Sequence, residues 1–239
     1  MKVVVFFGLA FAITWGLQAP AMFSAHPEKW MALVGLGAFG PMFAAMIVAA
    51  FDGGIGALFR PMKTWRVPVL WYVVALLVPG ALFVVAALLY GHGEPLLYGP
   101  SNAAFVLAAI VFPIGEEVGW RGFALPRLHA RFGPLAASVI IGFFWTLWHI
   151  PMMAIQGVSP VLYTAFFPFM IGGSVFFTWI WVHTRGSLLL MVLAHVGAHL
   201  NNAGHALPAR STPIVLHAVA YACLAVALIA FDRRLRGRV

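Results

Sequence analysis

The chain has one cysteine, Cys223, and six acidic residues among its 239. A lone thiol in an apolar run excludes a disulfide framework and a cysteine-ligated metal cluster, and fits core packing or a lipid-facing position. Charged residues make up only 8% of the chain, too few to clothe a soluble domain of this size. Internal repeats, low-complexity tracts and long polar linkers are missing as well, so residues 1–239 read as a single transmembrane domain. No serine occupies a recognisable nucleophile elbow, and Cys223 is remote from the polar motifs. Serine and cysteine nucleophilic catalysis therefore fit poorly.

What is abundant is apolar residues, at 63% with a mean hydropathy of +0.99. Runs of roughly 18 or more such residues can cross a hydrocarbon core, which predicts an all-α, polytopic membrane helix bundle. Breaks at polar, Gly and Pro clusters give eight predicted spans, at 3–23, 30–51, 68–90, 103–123, 134–155, 160–182, 187–202 and 212–231. The first follows Lys2 and is long for a signal peptide, so it reads as an uncleaved span.

A net charge of +8 would suggest nucleic acid for a soluble protein, but the positions of the basic residues argue otherwise. With a cytoplasmic N-terminus, Lys2, Arg60, Lys63, Arg66, Arg121, Arg127, Arg131, Arg185, Arg233, Arg234, Arg236 and Arg238 fall inside. Only Lys29 and Arg210 fall outside. This bias is what the positive-inside rule predicts for an even number of spans with both termini cytoplasmic, in a bacterial-type inner membrane. Membrane lipids are an expected partner and nucleic acid is not. Trp30, Trp65, Trp71, Tyr72, Tyr90 and Tyr98 lie near span ends, as interfacial anchors do.

Four of the acidic residues sit in or beside loops, but Glu116 and Glu117 are adjacent within a hydrophobic span. A carboxylate at mid-bilayer costs about 2.5–3.5 kcal/mol on insertion scales, so two together need a reason. In a helix neighbouring side chains point about 100° apart, so the two differ in role. Arg121, four residues on, is the natural partner of Glu117, which leaves Glu116 the freer base. The nearby glycines, Gly115, Gly119 and Gly122, allow close approach of another helix or a substrate backbone.

His149 follows Trp145 by four residues in the fifth span. In the seventh, His195 and His199 share a face that Asn202 continues. Counting about 1.5 Å per residue from the predicted cytoplasmic ends puts Glu116, His149 and His195 at roughly 16, 22 and 12 Å, all interior to a core of about 30 Å. A carboxylate base with a histidine can activate water while other donors steady a carbonyl oxyanion, which is the minimum for amide hydrolysis. His26, His92, His129, His183 and His205 fall near span ends, where solvated or interfacial roles are expected. His217 reads as a helix-bridging core residue, and Asn102 and Thr146 as supporting hydrogen bonders.

These motifs resemble those of the CAAX-protease and bacteriocin-processing family of intramembrane endopeptidases, whose eukaryotic members trim prenylated CAAX proteins. The family order is E-E-x-x-x-R, then aromatic-x-x-x-H, then H-x-x-x-N or a similar polar residue. Glu116, Glu117 and Arg121 match the first motif, Trp145 and His149 the second, and His195 the third, with His199 in place of the usual asparagine. The motifs span about 113–202. The resemblance implies that Glu116 and His149 activate water, while His195 and the residue four later, with Asn202 as a further candidate, bind the oxyanion. It also implies a peptide or protein substrate, lipidated or not.

The family is often called metalloprotease. His195 and His199 have the spacing of paired zinc ligands on a helix, which His149 and a glutamate could complete, with zinc or another divalent ion. Val196 stands where a zincin would carry its glutamate, which tilts the expectation toward water activated by Glu116 without an obligatory metal. Two rivals from other classes remain: a proton- or ion-coupled transporter, and a non-catalytic immunity or scaffold protein. A single ionisable cluster without repeated halves speaks against the transporter.

Overall fold

The computed structural model describes residues 1–90, 103–201 and 211–237, and among these residues every regular element is helical. Five helical stretches are long and apolar enough to cross a membrane: Lys2–Met22, Pro27–Ala50, Val69–Ala86, Pro134–Ile155 and Tyr163–His183. Shorter apolar helices occupy Leu188–Leu200 and Val215–Phe231. Apolar residues point outward at high exposure, with Val69 at 76%, Leu107 at 63% and Val226 at 67%. In water such a surface would drive aggregation, whereas in lipid it is the expected exterior. The protein is an integral membrane helical bundle, and Cys223 is exposed on it.

In chain order the helices are α1 (Lys2–Met22), α2 (Met31–Gly37), α3 (Gly40–Ala50), α4 (Gly56–Phe59), α5 (Val69–Tyr90) and α6 (Ala103–Glu117). A π-helical segment, Val118–Ala124, links α6 to α7 (Leu125–Phe132). Then come α8 (Pro134–Trp148), α9 (Ile150–Ile155), α10 (Tyr163–His183), α11 (Leu188–Asn201), α12 (Ser211–Phe231) and α13 (Arg233–Arg236). Each predicted span coincides with a helical stretch. The second is interrupted between α2 and α3, and the fifth is divided at His149, where Pro151 begins a new helix because it lacks the N–H that would continue the old one.

Packing is set by small residues where backbones meet. A Cβ on Gly119 would lie 2.5 Å from the Cβ of Pro41, and one on Gly115 would lie 2.8 Å from the Phe39 ring. The bare α-carbons therefore let the α2–α3 pair close on the helix that carries the glutamates. Inside, Phe6, Phe7, Trp120, Phe123 and Phe144 form an aromatic cluster with ring centroids 4.3–5.9 Å apart.

Several of the described loop-borne charges gather at one end. Lys2 Nζ lies 2.6 Å from Asp52 Oδ1, and Arg127 donates to Asp52 Oδ2 at 3.2 Å. Arg185 donates to the Arg66 carbonyl, and Ser187 Oγ donates to the Thr64 carbonyl at 2.6 Å. Leu235 of α13 packs under Leu135 at the start of α8. Lys29 stands apart at the far end of α1. The end that holds these contacts is thus rich in basic residues.

Candidate active site

The site is built from three regions of the chain: the end of α6, the end of α8 with the break after it, and α11. Glu116, Glu117, Arg121 and His195 are 4%, 0%, 1% and 5% exposed, so four ionisable side chains share the protein interior. Charges this deep persist only when paired and hydrogen-bonded.

Glu117 is the organising acid. Its Oε1 accepts from Arg121 Nη1 at 2.8 Å and from His195 Nδ1 at 2.8 Å. The Glu117–Arg121 pair expected from four-residue spacing is present, although the helix widens into its π turn immediately after Glu117. Two glycines inside that turn, Gly119 and Gly122, weaken the ordinary helical preference, and π turns recur at functional sites. The Arg121 guanidinium carbon lies over Trp145 at 4.3 Å and over Phe177 at 4.6 Å from the ring centroids, so its charge is met by two π faces as well as by Glu117.

Because a carboxylate only accepts, His195 must carry its proton on Nδ1, which leaves Nε2 as the lone-pair nitrogen. That nitrogen lies 3.1 Å from Nε2 of His199, and the two rings stack with centroids 4.8 Å apart. Glu116 turns toward the other side of the cluster, where its Oε2 accepts the indole N–H of Trp145 at 2.8 Å. His149 Nδ1 donates to the Trp145 carbonyl at 2.7 Å, so its Nε2 also holds a lone pair. The Trp145 ring abuts both His149 and His195, at 5.8 and 5.5 Å between centroids.

Glu116, His195 and His199 each offer a ligand atom, and the three atoms lie within 4.8 Å of one another. This carboxylate and two imidazoles make a donor set suited to a hydrolytic zinc, whose bonds to such atoms are about 2.0–2.2 Å. Glu117 on Nδ1 of His195 has the placement of the carboxylate that orients a metal-binding imidazole. His149 contributes no atom to that group. Asn202, Asn102, His92 and His205 lie outside the described residues. Thr146 Oγ1 is bonded back to the Gly142 carbonyl of its own helix at 2.8 Å.

Among the span-end histidines, His26 pairs with Glu28 near the surface at 3.2 Å. His183 sits 3.0 Å from Asp232 and against the Trp71 ring. His217 is buried between Phe83, Phe169 and Tyr221, bridging α5, α10 and α12. Sequence reasoning gave Trp145 the aromatic position of its motif but not its hydrogen bond to Glu116. The available signal was its place four residues before His149, on the same helical face.

Residues 98–201 match the family described as type II CAAX prenyl endopeptidase Rce1-like. A protein named CAAX prenyl protease 2 from Methanococcus maripaludis is 29% identical over 128 residues, which cover 50% of this chain and 46% of that protein. The chain thus spans about half the length of the curated relative it matches.

Proposed function

We propose that this chain, whose residues 98–201 match the type II CAAX prenyl endopeptidase Rce1-like family, is an intramembrane endopeptidase. The observation that carries the reading is the convergence of Glu116, His195 and His199 in the bundle interior, braced by Glu117 and Arg121. In the reaction Glu116 removes a proton from water as its oxygen attacks the scissile carbonyl. The bare Nε2 of His149 assists as acceptor, and the proton that His199 Nε2 shares with the bare Nε2 of His195 turns to the developing oxyanion, with Asn202 as a further candidate donor. The proton held by Glu116 then passes to the departing amine as the C–N bond breaks, so one water is consumed and one acid and one amine are released.

The test is Glu116→Gln in purified protein. Positioned acid–base catalysis contributes about 10²–10⁴-fold, so cleavage of a reporter peptide falls by at least about 100-fold while circular dichroism is unchanged. Undiminished turnover would remove Glu116 as the base. The matched relative is named for CAAX prenyl substrates, so a peptide with a C-terminal prenylated cysteine is the first substrate to try, against its unlipidated twin. We place the basic end, with both termini, on the cytoplasmic side of a bacterial-type inner membrane.

A second reading rests on the same donor set. Glu116, His195 and His199 would hold a divalent ion such as zinc, which would supply Lewis-acid polarisation of the carbonyl. Glu116 cannot be base and ligand at once. Elemental analysis of active protein, with chelation and zinc restoration, separates the two: activity that survives chelation keeps Glu116 as the base, and zinc-restored activity assigns it to the metal.

A further inference from the structure

Beside α1, away from the glutamate cluster, lies a groove of 920 Å³ walled by α1, α7 and α8. That volume is within the range of about 300–1,000 Å³ typical of ligand sites. Its wall is apolar, formed by Phe7, Phe11, Ile140 and Phe144, whereas Lys2, Arg127 and Arg131 border the same groove. Asp52 accepts from Lys2 and Arg127 and holds both in place, while Arg131 is exposed. Three cations against one carboxylate leave this rim positive. Gly8 lines the groove without filling it, since a Cβ there would meet nothing within 4 Å.

Cationic side chains at the end where the bundle's basic residues gather, beside an apolar trough running along a membrane-spanning helix, match a molecule with an anionic head and a hydrocarbon tail. We infer that this groove is a binding site for an anionic phospholipid, with the phosphate held by Lys2, Arg127 and Arg131 and an acyl chain lying over Gly8 between α1 and α8. Charge complementarity selects the headgroup, and basic pockets at the ends of membrane helices bind such headgroups. From Lys2 to Phe11 the helix rises about 13 Å, so a chain in the trough reaches well into the hydrocarbon region. The site is independent of the peptidase reading, because none of its residues belongs to the Glu116 cluster.

Native mass spectrometry of the purified full chain, with added phosphatidylglycerol or phosphatidylcholine, tests this without reference to hydrolysis. Wild type retains phosphatidylglycerol preferentially. Arg131→Gln lowers that retention about fivefold, the effect expected of one cation near a lipid surface. Gly8→Leu fills the trough in open space, with a better helix former at the position, and lowers it at least as much. Equal retention of the two lipids, or undiminished phosphatidylglycerol binding in folded Gly8→Leu, overturns the proposal. Stoichiometric displacement of phosphatidylglycerol by a prenylated peptide also overturns it and gives the groove to substrate. Should Arg131→Gln fail to fold, the Gly8→Leu comparison decides alone.

Discussion

Trp145 touches four side chains of the candidate site, Glu116, Arg121, His149 and His195. Its N–H reaches Glu116, its face carries Arg121 and its edges meet His149 and His195. Trp145→Phe keeps most of the packing and removes one hydrogen bond to a charged group, worth about 1.5–3 kcal/mol. Since that bond orients the proposed base, kcat for a reporter peptide falls about 10–100-fold with KM nearly constant. A change in KM alone would make the residue a substrate contact instead. Glu117 and Arg121 invite a different measurement. Arg121→Met strands a buried carboxylate and lowers stability by about 3–5 kcal/mol, whereas Glu117→Gln with Arg121→Met removes both charges and regains much of the loss. Thermal unfolding in detergent gives the order, and a double variant no more stable than Arg121→Met would mean the ion pair is not the source. This pair was legible in the sequence because four-residue spacing is a property of the helix itself. The bond from Trp145 to Glu116 was not, because 29 residues separate them and only the tertiary fold brings the ends of α6 and α8 together.

Helices were legible because length and hydropathy alone define a membrane span. Interruptions were less so. The division at His149 follows from Pro151, a visible signal, whereas Gly119 and Gly122 mark only a weakened helix and do not specify the π turn, in which Gly119 seats against α3. That seat makes a sharp contrast between two glycines. Gly119→Ala drives a methyl to 2.5 Å from Pro41, and overpacking of this kind costs about 1–3 kcal/mol. Gly8→Ala meets nothing within 4 Å and gains about 0.5–1 kcal/mol from helix preference. Melting temperatures of the two variants should move in opposite directions. If both rise, α3 is not held by the contact at Gly119.

At the scale of the molecule, the positive charges that set the sequence pattern gather on one end of the bundle, where they repel unless something offsets them. Asp52 is that offset: it ties the start of α1, the turn after α3 and α7 together through Lys2 and Arg127. The hydrogen bonds from Lys2 and then Arg127 hold its carboxyl below the ordinary value of 3.8. A carboxyl depressed in the folded state contributes stability above its unfolded value and loses it as pH falls through the folded one. The gap in melting temperature between wild type and Asp52→Asn is therefore constant from pH 8 to about pH 5 and closes below about pH 4. Both cations are partly exposed, so added salt narrows the gap at neutral pH as well. A gap that widens on acidification would mean that Asp52 acts as a neutral hydrogen-bonding group and that the basic end is held together by packing alone.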